Sequence, residues 1–112
     1  MKEIKAFIRH IKVPEVCKAL RTNGFCCMTL TESEGTGMYT DPDVDFPSFK
    51  FPFMHSKVVK IEIVCPENDA EQIIKIIQKY GKTGRSGDGI IYTVDVGELY
   101  KVRNGKKGEE AY

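Results

Sequence analysis

Apolar and polar positions alternate over residues 2–10, with Ile4, Ala6 and Ile8 on one face and Glu3, Lys5, Phe7 and Arg9 on the other, the two-residue period of a half-buried strand. The period then lengthens. Val13, Val16, Cys17 and Leu20 follow the i, i+3, i+4, i+7 spacing of a helix, and Pro14 is compatible with its first turn. This helix is expected to end near Asn23, with Gly24 as a left-handed cap and a second strand from Phe25 through Cys27, Thr29 and Thr31. Residues 38–56 hold Pro42, Pro47 and Pro52, show no helical period, and predict a long irregular connection of the kind that is usually functional or disordered. Alternation returns over 57–65, with Val59, Ile61, Ile63 and Cys65 against Val58, Lys60, Glu62 and Val64. Apolar residues on both faces put this strand in the middle of a sheet or beneath a neighbouring subunit. Asn68 followed by Glu71 reads as a helix cap, and Ala70, Ile73, Ile74, Ile77 and Tyr80 form the stripe of a second helix. A fourth strand is expected from Ile90 to Val96, and a polar, glycine-punctuated loop over 99–112.

Strand–helix–strand, twice over, predicts an α+β fold of the ferredoxin-like βαββαβ type: an antiparallel sheet with two helices on one face, forming a single domain over 1–112. At 112 residues and 41% hydrophobic content the core is modest, so oligomerisation would add margin. The 17 basic and 16 acidic residues nearly cancel, leaving no field that would attract nucleic acid. No apolar run approaches the roughly 20 residues that span a bilayer, and the first residues open into a strand, so a cytoplasmic protein with no membrane insertion is expected. Cys17, Cys26, Cys27 and Cys65 have no metal-type spacing and read as small, buried or half-buried apolar residues in a reducing compartment. His10 and His55 are far apart in sequence and sit at strand ends, and nothing in the sequence supports a metal site built from them and a cysteine. Asp41, Asp43 and Asp45 alternate as in a calcium loop, but the glycine and the final glutamate of such a loop are missing. No metal is expected.

The stretch with most chemistry in it is Thr83-Gly84-Arg85-Ser86-Gly87-Asp88-Gly89, within a glycine-rich loop over 82–90. Its glycines permit a tight backbone whose N–H groups could converge on anionic oxygens, and Arg85, Lys101 and Arg103 are candidate cations for a phosphate. It is not a Walker-type loop, since no Gly-Lys-Ser/Thr triplet opens a following helix. An ordinary helix-to-strand turn is the other reading.

The segments Thr83-Gly84, Gly87-Asp88-Gly89 and Ile91-Tyr92, with Lys101-Val102-Arg103, Gly105, Gly108-Glu109 and Ala111 after them, resemble the C-terminal signature of the PII nitrogen-regulatory signal proteins. The opening Met1-Lys2, Ile4, Ala6 and Ile8-Arg9, then Gly24-Phe25, Met28-Thr29, Gly35-Thr36-Gly37 and residues 57–64, resemble the same family in the same order. The likeness fails over 38–56. It implies a homotrimer whose bare sheet faces meet around a threefold axis, with an adenine nucleotide (ADP, AMP or ATP) in each cleft between subunits. It further implies that Thr29, Gly35, Thr36, Gly37, Glu62, Val64, Gly87, Asp88, Gly89, Ile90, Lys101 and Arg103 line that site. Departures weaken its phosphate contacts: Lys101 stands where the family commonly has Arg, keeping the charge but losing the bidentate fork, Ile90 replaces a phosphate-contacting Lys, and Met38 and Tyr39 replace Arg and Gln. That Gln holds Mg²⁺ for 2-oxoglutarate in the family, so its loss counts against both ligands. The tyrosine that the family nucleotidylylates counts onto Phe51, which has no hydroxyl.

The expectation is therefore a non-enzymatic signal-transduction regulator that binds an adenine nucleotide and acts on a partner, a transporter or an enzyme, through its 38–56 loop. Two alternatives stand beside it: a nucleotide-hydrolysing enzyme, weakened by the lack of a Ser/His/Asp or Cys/His pairing at readable spacing, and a structural trimer that has lost its ligand. Phe46, Phe49, Phe51 and Phe53 are too many aromatics for a solvated tip; docking on a partner is the favoured use and self-packing the competing one.

Overall fold

The computed structural model describes residues 1–108. Four strands, β1 (Lys2–Arg9), β2 (Thr29–Gly35), β3 (Ser56–Cys65) and β4 (Ile91–Asp95), form one antiparallel sheet in the order β2-β3-β1-β4. Helices α1 (Val13–Thr22) and α2 (Glu67–Gly81) pack on each other and on one face of it. This is the ferredoxin-like α+β arrangement that the alternation predicts, with β3 in the sheet's interior as its two apolar faces require. The core is the inward set of the strands, Ile4, Ala6, Ile8, Val59, Ile61, Ile63 and Cys65, closed by Val16 and Leu20 of α1 and Ile73 and Ile77 of α2.

Gly24 ends α1 as expected. Its φ is +88°, its N–H donates to Arg21 O at 3.0 Å, and Phe25 N–H donates to Leu20 O at 2.9 Å, the paired bonds of a Schellman cap. The starts of two elements differ from the sequence reading by more than a residue. The second strand begins at Thr29, not Phe25, because Phe25 and Met28 both turn into the core and break the alternation between them. Helix α2 begins at Glu67 behind Pro66, whose carbonyl accepts Asp69 N–H at 3.0 Å; Asn68 already lies inside the first turn and caps nothing. A proline with φ near −57° delivers the chain in an extended conformation, and Glu67 and Asp69 complement the positive end of the helix.

The connection over 38–56 is built from short turns. A 3-10 turn (Gly37–Tyr39) follows β2, Val44 and Asp45 N–H groups donate to Asp41 O, and a bridge pairs Phe46 with His55 before β3 starts at Ser56. Beyond β4 the chain turns back on itself: Tyr100 pairs with Lys107, and Lys101 exchanges backbone hydrogen bonds with Lys106 and Gly105. Residues 109–112, the end of the segment expected as a loop over 99–112, lie outside the described residues.

Candidate functional site

The face of the sheet away from the helices carries the second set of each strand. Register places Glu3 beside Val64, Lys5 beside Glu62 and Phe7 beside Lys60, while Thr29 sits beside Glu62 on the other side. Lys5 Nζ donates to Glu62 at 3.0 Å and lies 3.4 Å from Glu3, and Lys60 is 3.5 Å from Glu62. The hydrogen bond from Lys5 holds the Glu62 carboxyl below the usual range and the Lys5 ammonium above its own. A row further on, Phe7 meets Tyr92 at 6.3 Å and Tyr39 at 5.9 Å between ring centroids, so this face offers aromatic surface next to a charged ladder.

Two glycine turns close one end of that face. Gly35 lets Tyr39 lie against the strand, since a Cβ there would sit 2.6 Å from Tyr39 Cβ; Thr36 O accepts Tyr39 N–H at 3.2 Å. Gly37, at φ +61°, accepts both the N–H and the hydroxyl of Thr40. On the other side, residues 83–89 dock onto β1. Phe7 N–H donates to Ile90 O at 2.9 Å, and any Cβ at Gly89 would overlap the Phe7 carbonyl. Gly87, at φ +97°, has room for no side chain, because Arg9 fills the space above it.

The loop does not present an open cradle of N–H groups. Its own Asp88 occupies the concavity, accepting Thr83 N–H and Gly84 N–H at 2.9 Å each and the Thr83 hydroxyl at 2.6 Å. Burial pushes the Asp88 carboxyl up, but these bonds outweigh it and hold it below the usual range. Nor is Arg85 a spare cation: its guanidinium donates to Asp41 at 2.6 Å and reaches Asp43 at 3.4 Å. A backbone N–H from Asp43, then Arg85, hold the Asp41 carboxyl below the usual range. These pairs also account for the aspartates that resemble a calcium loop, and among the described residues no cluster of three or more potential ligands holds a metal site. The two loops are thus clasped together.

Arg9 joins them to the sheet, a tie that sequence reasoning missed. Only 8% exposed, it donates to Ser86 O at 2.6 Å and to Ser56 Oγ at 3.3 Å, and lies within 4 Å of Asp45 and Asp88. Its Nε is buried without a hydrogen-bond partner. Strand alternation marked Arg9 as polar; it could not show that two loops fold over it. Beside it, Arg9, Val44, Phe46, His55 and Arg85 line a cavity of about 630 Å³. Asp88 and Gly89 line another, of about 430 Å³, with Phe7, Ile77 and Lys82.

Lys101 and Arg103 stand apart from all of this. They lie on the turn between Tyr100 and Lys107, past the sheet-edge strand β4, and make no hydrogen bond or ion pair to the glycine loop or the sheet among the described residues. The phenylalanines divide. Phe49 is fully exposed at the tip and Phe46 largely so, whereas Phe51 is half-buried, 5.2 Å from the His55 ring and 5.9 Å from Phe53, which itself is partly exposed. His55 anchors this segment. Its Nδ1 meets Glu34 at 2.7 Å and its Nε2 meets Ser48 Oγ at 3.0 Å, with Ser48 Oγ also accepting Phe51 N–H at 3.1 Å. Hydroxyl, imidazole and carboxylate in that order form the pairing that the sequence reading found no sign of, since 21 residues separate Glu34 from His55. Here the serine oxygen is engaged by a backbone donor, and the trio ties the loop to the end of β2.

The architecture, a ferredoxin-like sheet with one bare face and two glycine turns closing its end, defines a small α+β domain of the ferredoxin-like class. Comparison with known proteins is decisive about the family. The family model described as "Nitrogen regulatory protein P-II" matches residues 1–106. A relative of that name from Azospirillum brasilense is 35% identical over 111 residues, covering 99% of each chain, and one from Rhizobium meliloti is 33% identical over the same share. "Nitrogen regulatory protein P-II 2" of Methanothermobacter thermautotrophicus is 35% identical, across 99% of this chain and 96% of its own. The chain belongs to the nitrogen regulatory protein P-II family, a family of signal-transduction regulators, and its relatives are named for regulation rather than for an enzymatic reaction. No helix among the described residues is long and apolar enough to cross a membrane.

Proposed function

We propose that this protein works as a closed homotrimer that binds an adenine nucleotide between subunits and signals to a partner protein through the 38–56 loop. What supports this reading is the division of the expected site within one chain. Thr29, Glu62 and Val64 share the bare sheet face, and the turns bearing Gly35, Thr36, Gly37, Gly87, Asp88 and Gly89 close its end. Lys101 and Arg103, the phosphate cations, stand off on their own turn beyond the edge strand. A second subunit seated on the bare face would bring its own cationic turn to the first subunit's glycine turns. Ile90 supplies no ammonium, and Arg85 and Arg9 are already committed to aspartates, so the site suits a nucleotide with few phosphates better than ATP with Mg²⁺.

Calorimetry with AMP, ADP and ATP tests this. Each charge-assisted hydrogen bond is worth about 1.5–3 kcal/mol, so Arg103→Ala is expected to weaken binding roughly 10- to 150-fold while the trimer, read by sedimentation, persists. Unchanged affinity would put the phosphates elsewhere, and a monomer at micromolar concentration would remove the cleft.

A further inference from the structure

The sequence reading took all four cysteines as buried or half-buried apolar residues; the structure divides them. Cys17 and Cys65 are buried, but Cys26 and Cys27 are exposed, and their sulfurs lie 2.9 Å apart. The segment carrying them is pinned at both ends. Phe25 closes the cap of α1 and packs on the core, and Met28 packs on the core with its sulfur 3.6 Å from Cys17 Sγ. Between two inward-turned residues, the thiols of the adjacent cysteines are left outward, in contact, and directly ahead of Thr29, the first residue of β2.

We propose that Cys26 and Cys27 form a reversible oxidation site, in which a peroxide converts the adjacent dithiol to a disulfide within the chain. One thiolate attacks a peroxide oxygen, the O–O bond breaks, and the leaving oxygen departs as water, giving a sulfenic acid. The second sulfur then attacks the sulfenic sulfur, the S–O bond breaks and a second water leaves. Two thiols lose two electrons and two protons; hydrogen peroxide becomes two waters. Contact between the sulfurs makes the second step fast compared with encounter with another chain. The Cys26 sulfur beside it, followed by burial, holds the Cys27 thiol up.

The product is held under strain. Adjacent Cα atoms are about 3.8 Å apart, whereas disulfides usually span about 4.4–6.8 Å, so closure must twist the backbone between them. Strained, exposed disulfides are the easily reduced ones, and ordinary thiols would reopen this one. Phe25 is fixed through its backbone by the helix cap whereas Met28 is held by side-chain packing, so the twist is passed on toward Met28 and Thr29, at the start of the strand paired with Glu62. The site stands whether or not a nucleotide binds there.

The test is stoichiometric hydrogen peroxide on the full chain, followed by intact mass, peptide mapping and amide exchange. Expected is loss of two hydrogen atoms mapped to the peptide with Cys26 and Cys27, reversal by dithiothreitol, and altered exchange at Thr29 to Thr31. Cys26→Ser and Cys27→Ser should each abolish the loss and gain oxygen instead, while Cys17→Ala keeps it. Persistent oxygen gain in the unsubstituted chain, or a disulfide between chains on a non-reducing gel, would overturn the proposal.

Discussion

The two faces of one sheet differ by a single residue of register and do opposite jobs. Ile61 and Ile63 point at the helices and are essentially sealed from water, while Glu62 and Val64 between and beside them look outward and stay partly exposed. On β1 the same step separates Ile4, Ala6 and Ile8 from Glu3, Lys5 and Phe7. Burial of one face supplies the stability that lets the other carry paired charges, aromatic surface and glycine turns that add little to folding. The strand is therefore a ruler: whatever it sets on the core face fixes the spacing of what it offers outside.

Substitution at neighbouring positions can break that comparison. Ile61→Ala is expected to cost about 2–5 kcal/mol in denaturant unfolding, the range for a fully buried aliphatic, while Glu62→Gln moves the midpoint little. Equal effects would mean that the outer face carries stability after all. Gly89→Ala comes next. Its Cβ cannot coexist with the Phe7 carbonyl, so we expect a loss of about 1–3 kcal/mol and faster amide exchange at Phe7, whose bond to Ile90 must open.

Acid separates the loops from the sheet. Asp88 and Asp41 are both held below their ordinary values, so the stability they contribute is whole above the unfolded Asp value of about 3.9 and is lost as pH falls through their folded values. Thr83 and Gly84 amides should lose protection in that range before the amides of β1 and β3 do, and Asp88→Asn should lose it at neutral pH. Simultaneous loss would show that loops and sheet open together. The smallest effect is expected at the loop tip, where Phe49→Ser should stay within about 0.5 kcal/mol by thermal unfolding because the ring touches nothing it could lose. Phe51→Ser should cost more, through its contact with His55. A large loss from Phe49 alone would place the tip within the protein's own packing and end its use as a docking surface.

Local pattern carried the reading of the strands, the helices and the Gly24 cap because each depends on residues within one or two turns of chain. The same locality explains its errors. Asn68 looked like a cap only while Pro66 was not weighed, and Phe25 looked like a strand residue because its burial depends on α1 and the core. The family was legible as well, since glycines at 84, 87 and 89 and the run after Lys57 keep their order and spacing.

Contacts across long stretches of chain were beyond that reach. Asp88 fills the concavity that three glycines seemed to leave for a ligand; Arg85 finds Asp41 across 44 residues, and Arg9 finds Ser86 across 77. Ser48, His55 and Glu34 meet only because β2 and β3 run side by side with the loop folded between them. Sequence by itself determined which residues alternate, turn and cap, because those choices follow from backbone sterics and the period of side chains. Tertiary structure alone decided which charges are spent on each other, which thiols face outward in contact, and which cations stand clear of the sheet, because those depend on where distant segments meet.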